Sequence, residues 1–190
     1  MGRGWKERRT SARLFDMTRM VVFLGNPGRQ YERTRHNAGY LLCSRMYPDT
    51  SFSVKFHSAY AKVDGLVILK PLTLMNLSGT AVSEAACFLR IKADEILVVH
   101  DDLELPLGEA RLQKGGGMKG HNGLRSIRQR LGDDGFHRLR IGIGRPVHGD
   151  VANHVLSPFS EDEMSTLSAL FDVLCARDVL HAGDGLVVRI

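Results

Sequence analysis

His36 and Asp101 are the smallest pair in this chain that could activate a water molecule. An imidazole accepts a proton near neutral pH. A carboxylate behind it fixes the tautomer and stabilises the imidazolium. Asn26, Asn37, Asn76, His121 and Asn122 add amides and a second ring. Asparagine offers neutral donors for a developing oxyanion and paired contacts to peptide groups. The chain has no Gly-x-Ser-x-Gly elbow, so water is the economical nucleophile. Each residue also has an ordinary reading. Asn26 before Pro27 suits a turn, and His36, Asn37 and Asn76 suit helix starts. Asp101 and Asp102 suit a solubilising loop, and His121-Asn122 suits a loop-to-helix junction. His36, Asp101 and His121 are also metal-ligand types. No His-Glu-x-x-His or similar spacing joins them, so neither a metal nor another cofactor is expected. The glycine-rich run Gly115 to Gly123 suits an anion cradle, but it lacks the nucleotide-binding lysine pattern.

These residues need strands and helices to bring them together. The apolar run from Met20, M-V-V-F-L, reads as a buried strand, followed by a Gly-Asn-Pro-Gly turn and a short helical pattern over 37–46. Residues 58–63 and 66–69 read as a hairpin turning at Asp64-Gly65. Ser78 to Ile91 has the apolar stripe of a helix. I-L-V-V, 96–99, reads as a strand ending in His100-Asp101-Asp102. Glu109 to Lys114 reads as another strand, Asn122 to Leu131 as a helix, and 138–144 as a strand. Ser160 and Glu163 form a capping box that opens a last helix. The alternation implies a single α/β domain, with a mixed, largely parallel twisted sheet flanked by helices. Sites in such sheets form beyond the carboxyl ends of the strands. The loops at 25–36, 100–108 and 115–122 leave strands and carry the polar set.

Bulk properties agree with one domain. The chain has 190 residues, 43% hydrophobic and 25% charged. No apolar run approaches the ~20 residues of a membrane span. Cys43, Cys87 and Cys175 form no Cys-x-x-Cys pair. They are expected to be small buried hydrophobes in a cytoplasmic, reducing setting. The net charge of +5 is segregated: stretches 1–20, 21–70 and 107–150 are basic, whereas 71–106 and 151–190 are acidic. Segregation of this kind points to a nucleic-acid partner. Residues 1–19 read as a basic extension, either disordered or lying before a true start at Met17 or Met20. The domain proper then runs over 20–190.

Five blocks then add up to something specific. They are G-N-P-G-x-x-Y-x-x-T-R-H-N-A-G, K-P-L-T-L-M-N-L-S-G, I-L-V-V-H-D-D-L-E-L-P-L-G, G-G-G-x-x-G-H-N-G-L and F-H-R-L-R-I-G-I-G-R-P. In this order, over roughly 20–160, they resemble the bacterial-type peptidyl-tRNA hydrolases. The resemblance implies a monomeric, metal-free enzyme that cleaves the ester between a peptide and the 3′ end of a tRNA. It implies His36 as catalytic base, Asp101 as its orienting carboxylate, and Asn26 as a group that positions ester and water. It places Tyr31, Asn37, Asn76, His121 and Asn122 around the peptide and the tRNA 3′ end. Arg140 corresponds to a basic residue that grips a tRNA phosphate. The family's lysine partner falls at Gln113, so Arg111, Lys114 and Lys119 are the basic candidates nearby. Strand alternation sends Lys114 to the opposite face from Gln113 and Arg111 to the same one. The alternative is a non-catalytic RNA-binding relative on the same fold, of the splicing-cofactor type.

Overall fold

The computed structural model describes residues 18–146, 148–177, 179 and 184–190. The expected extension therefore lies outside the described residues, apart from Thr18 and Arg19. Arg19 already belongs to the fold: its amide donates to the Glu95 carbonyl, and its carbonyl accepts from Val67.

The strands are β1 (Met20–Phe23), β2 (Ser53–Lys55), β3 (Ser58–Val63), β4 (Leu66–Pro71), β5 (Ile96–Asp102), β6 (Glu109–Lys114), β7 (His137–Gly142) and β8 (Val187–Arg189). They form one sheet in the order β2-β3-β4-β1-β5-β7-β6-β8. Its centre is parallel: β1 pairs with β4 and β5, and β5 pairs with β7. Antiparallel pairs extend both edges. The central strands are buried on both faces, which is why M-V-V-F and I-L-V-V are continuous apolar runs rather than alternating ones. The β3–β4 turn is left-handed at both Asp64 (φ 49°) and Gly65 (φ 88°), the conformation an Asp-Gly hairpin turn requires.

Among the described residues five α-helices accompany the sheet: α1 (Ala38–Met46), α2 (Ser78–Leu89), α3 (Asn122–Leu131), α4 (Val151–Leu156) and α5 (Glu161–Ala176). On one face Leu42 of α1 and Leu167, Leu170 and Leu174 of α5 meet Val21, Phe23, Leu97, Val99 and Leu139. On the other, Val82 and Ala85 of α2 and Leu124 and Ile127 of α3 meet Met20, Val22, Leu69, Ile96 and Val98. Each of these side chains larger than alanine contributes about 1.5–3 kcal/mol by its burial. No helix among the described residues is long and apolar enough to cross a membrane.

Three expectations change. β5 does not stop at Val99 but runs on through Asp102, so His100, Asp101 and Asp102 are strand residues paired with Arg140, Ile141 and Gly142 of β7. The edge strands β2 and β8 and the short helix α4 join the expected elements. Of the cysteines only Cys43 is buried; Cys87 is exposed and Cys175 half-buried. Cys87 lies on the outer face of α2, beside the exposed Phe88.

The first strand leads directly into the chemistry. After β1 the chain makes two single 3₁₀ turns, Arg29–Tyr31 and Arg35–Asn37, and then enters α1. Gly39, in the first turn of α1, sits against main chain. A Cβ there would lie 2.5 Å from the Leu24 carbonyl oxygen and 2.8 Å from that of Val99. Only glycine allows this approach, which brings the start of α1 down onto the ends of β1 and β5.

Candidate active site

β1 has β4 on one side and β5 on the other, so the connections leaving β1 and β4 diverge at its carboxyl end. This is the switch point at which a crevice forms in sheets of this class. A cleft of about 680 Å³ opens here. Asn26, Tyr31, His36, Asn76, Asp101, His121 and Asn122 all line it, although they come from four separate segments.

His36 is held from behind by backbone. The Arg35 amide donates to the Ser157 carbonyl (3.1 Å), and the Phe159 amide donates to the Arg33 carbonyl (2.9 Å). The Arg35 side chain, 8% exposed, adds a brace the sequence reading did not identify. Its Nη1 donates to Ser157 Oγ and the Pro158 carbonyl, and its Nη2 donates to both Glu163 carboxylate oxygens at 2.6 and 2.7 Å. Glu163 is also half of the α5 capping box with Ser160, so one carboxylate closes a helix end and fixes the turn that carries His36.

The His36 ring meets Asp101 through Nδ1, 2.8 Å from Oδ1. Burial pushes the Asp101 carboxyl upward, but the charges and hydrogen bonds of His36 and His121 outweigh it and hold the group well below the usual carboxylate range. An ionised carboxylate only accepts, so Nδ1 carries the hydrogen and Nε2 keeps its lone pair. Burial lowers the basicity of His36. The charge of Asp101 and its hydrogen bond together overcome that, and the net direction is upward from 6.5.

His121 is the N-cap of α3. Its Nδ1 accepts from the Gly123 and Leu124 amides at 3.1 and 3.3 Å, in the place usually taken by a serine or aspartate oxygen. The hydrogen is therefore on Nε2, which donates to Asp101 Oδ1 at 3.0 Å. His36, Asp101 and His121 thus offer ligand atoms within 4.8 Å of one another. Both nitrogens facing the carboxylate are already occupied by hydrogens, so the cluster is built as a proton-bridged network.

The asparagines divide into two kinds. Asn37 does not cap α1 and does not face the cleft. It is 1% exposed, its Oδ1 accepts from the Asn26 amide at 2.8 Å, and its Nδ2 donates to the Asn26 carbonyl at 3.0 Å. The expected contact of Asn37 with substrate is corrected on this point: both ends of its amide are spent on the loop before it. That loop presents Asn26, whose Oδ1 accepts from the Met75 amide at 2.7 Å, which leaves Nδ2 as the free end in the cleft. Asn76 and Asn122 are exposed in the cleft lining, on two neighbouring segments: Met75, beside Asn76, packs against Gly123, beside Asn122. Tyr31 is half-buried at the mouth. Leu74, Met118 and Val151, Val155 and Leu156 of α4 add apolar lining.

The basic candidates are less uniform. Lys119 is exposed and lines the cleft. Arg140 also lines it but is 8% exposed, its Nε donating to Asp102 Oδ2 and its Nη1 to Gln113 Oε1, both at 2.7 Å. The glutamine in the lysine's place thus holds Arg140 rather than adding a charge. Arg111 pairs across strands with Arg140 but is bonded to Glu109 and lies outside the cleft. Lys114 is opposite His137 on the other face of the sheet, so its expected phosphate contact is not made from this cleft.

Three further residues belong here. Asp102 closes on Arg140. His100 is 2% exposed, donates from Nδ1 to the Asp101 carbonyl at 2.7 Å, and is kept neutral by burial and by His121, its pKa lowered to about 3. Arg138, 1% exposed, donates from Nη1 to the Gly117 carbonyl and so ties down the glycine-rich loop. The H-D-D and R-L-R triplets were the available signals, but a polar triplet does not reveal which of its members is buried.

The chain is similar to known proteins over most of its length. The family model described as peptidyl-tRNA hydrolase matches residues 20–184. The peptidyl-tRNA hydrolase of Geobacter sulfurreducens is 48% identical over 162 residues, covering 82% of this chain and 84% of that protein. That of Geotalea daltonii is 43% identical over 176 residues, covering 88% and 92%. Among solved structures, a peptidyl-tRNA hydrolase crystallised with N-propanol superposes with a TM-score of 0.78 at 36% identity, covering 90% of this chain and 91% of that one. The Acinetobacter baumannii enzyme superposes with a TM-score of 0.77 at 37% identity, covering 86% and 88%.

Proposed function

This chain belongs to the peptidyl-tRNA hydrolase family, and on that premise we propose that His36 is the general base of the ester hydrolysis that the family performs, with Asp101 as its orienting carboxylate. The reaction is hydrolysis of peptidyl-tRNA, which releases the tRNA for reuse in translation. The observation that carries the assignment is the 2.8 Å contact from His36 Nδ1 to an ionised, buried Asp101. It leaves Nε2 facing the cleft as the acceptor for a water proton.

In this mechanism water loses its proton to Nε2 as its oxygen attacks the ester carbonyl. The imidazolium is stabilised across Nδ1–H by Asp101. Asn26 Nδ2, aimed by the Met75 amide, donates to the oxyanion. The tetrahedral intermediate then expels the 3′ oxygen of the tRNA, which takes the proton back from His36. General-base catalysis is worth about 10²–10⁴-fold and an oxyanion donor about 10²–10³-fold. Asn76 and Asn122, both exposed in the cleft lining, hold the peptide and the terminal adenosine, with Tyr31 in the same lining. Amides at these positions pair donor and acceptor with a neutral peptide bond and offer no charge to a free α-ammonium.

Lys119 and the remaining Nη2 of Arg140 supply phosphate contacts, supported by the exposed Arg125, Arg128 and Arg130 of α3. The proposed setting is a monomer in the cytoplasm, where translation supplies its substrate, with His36, Asp101 and Asn26 as the reacting groups. The non-catalytic RNA-binding alternative gives no reason for a base and carboxylate held in reacting geometry. The deciding experiment offers N-acetyl-aminoacyl-tRNA and unblocked aminoacyl-tRNA to the protein and to His36→Ala. Selective cleavage of the blocked substrate, lost in the variant with tRNA binding retained, supports the reading. Activity that survives the substitution removes His36 as the base.

A further inference from the structure

Asp101 Oδ1 receives two hydrogen bonds at once, from His36 Nδ1 at 2.8 Å and from His121 Nε2 at 3.0 Å. The two rings stand with centroids 4.8 Å apart and planes inclined at 51°. His121 has no freedom to withdraw its hydrogen, because its other nitrogen is held by the first-turn amides of α3. The histidine is anchored further by its own amide, which donates to the Met118 carbonyl at 2.8 Å in the loop that Arg138 fastens.

Building on the reading of His36 as general base, we propose that His121 is a positioning residue that tunes that base: its N–H competes for the same carboxylate oxygen and holds the basicity of His36 down. The physical reason is charge sharing. A carboxylate whose negative charge is partly neutralised by one donor stabilises a neighbouring imidazolium less. Burial and Asp101 act on His36 in opposite senses, and the upward influence wins. A base left with the undivided carboxylate would remain protonated further into the neutral range, where it cannot accept the proton of water. His121 thus keeps the base available.

The charged and titratable surroundings are few. Asp101 faces His36 from β5 and His121 faces it from α3. The ring of His100 packs edge-on to His121 with centroids 5.0 Å apart, and its own hydrogen goes to the Asp101 carbonyl. Asp102 is occupied by Arg140, and Arg35 by Glu163. Lys119 and Tyr31 line the same cleft. Among the described residues no second carboxylate lies within salt-bridge distance of either ring.

The test is His121→Asn, with His121→Ser as a second variant. Both residues cap helices well, so the start of α3 keeps its acceptor. Neither carries the Nε2–H that reaches Asp101. Two readouts are followed: the titration of the His36 Cε1 proton by NMR in the free protein, and kcat/KM for N-acetyl-aminoacyl-tRNA against pH. The expected result is a move of both to higher pH by at least about half a unit. That displacement is a roughly threefold lower share of plateau activity on the acid limb. A His36 midpoint that stays in place or falls overturns the proposal, including when KM rises, because a plain substrate contact changes binding without moving the base. The base assignment itself is judged by His36→Ala. If that variant is dead while the His36 midpoint in His121→Asn is unmoved, the tuning fails and the base stands. If it remains active, the base reading fails and the NMR shift still reports the coupling.

Discussion

Replacing Asp101 with asparagine removes one charge and little else. The amide has the shape of the carboxylate, and its Oδ1 still accepts from His36 and His121 across 2.8 and 3.0 Å. The loss falls on the imidazolium formed as water is deprotonated. With nitrogen and oxygen 2.8 Å apart, the two charge centres lie about 4 Å from each other. At an effective dielectric of about 20 their attraction is about 4 kcal/mol. At 1.36 kcal/mol per decade this sets a fall in kcat of about 10³-fold, within the usual worth of general-base catalysis, ~10²–10⁴-fold. The variant also carries a sign. In the parent protein Asp101 raises the pKa of His36 against the pull of burial. With the charge gone burial acts alone, His36 becomes the weaker base, and activity rises through a lower pH. Single-turnover cleavage of N-acetyl-aminoacyl-tRNA from acid to neutral pH isolates the chemical step. The deficit should be largest on the plateau and smallest in acid. A kcat within tenfold of the parent, or an acid limb that does not move down, would refute the assignment of Asp101.

Other outcomes follow from the same geometry. Asn26→Asp keeps the acceptor that Met75 needs but loses the Nδ2 donor. In a steady-state assay kcat should fall about 10²–10³-fold with KM changed much less. Arg35→Met leaves Glu163 without its bidentate partner and the His36 turn without its brace. Urea unfolding should show a loss of about 2–3 kcal/mol, a little below the cost of breaking a fully buried pair because Glu163 is partly exposed. Acid should destabilise the fold through Asp101, Asp102 and Glu163. Burial raises each, but the neighbours of each outweigh it and hold it below its unfolded value: the histidines for Asp101, Arg140 for Asp102, and the Ser160 amide and Arg35 for Glu163. Their stabilisation is complete above the unfolded values, near pH 4, and is lost as pH falls through the lower folded ones. The urea midpoint should therefore drop steeply below about pH 4, and less steeply in Asp101→Asn.

The sequence shows the central strands, the Asp-Gly hairpin, the α5 capping box and the convergence of loops on one sheet edge, because each rests on a short-range rule. What it hides depends on neighbours. β5 reads as ending at Val99 because His100-Asp101-Asp102 is polar, yet β7 continues to pair with it. β2 and β8 are three-residue edges too brief for alternation to register. Asn37 next to His36 invites a role at the cleft, but its amide locks the chain two turns earlier, a contact eleven residues away that no periodicity encodes. Arg138 and Arg140 share one strand face and read alike; one is tied to a loop carbonyl and the other to Asp102. The roles at the cleft came from the order of the motifs; their physical basis needed the partners.

Gly39 has a consequence for how this enzyme ages in evolution. Because α1 rests on the carbonyls of Leu24 and Val99, the interval between His36 and Asp101 is set by two backbones in contact. Phe23, Leu42 and Leu97 nearby can drift among apolar residues of similar bulk, and the core can repack, without resetting that interval. A single methyl group at position 39 would lift the whole segment. The spacing of that pair is in this sense inherited from the sheet rather than from the composition of the core, which leaves the interior free to vary around a site that is not.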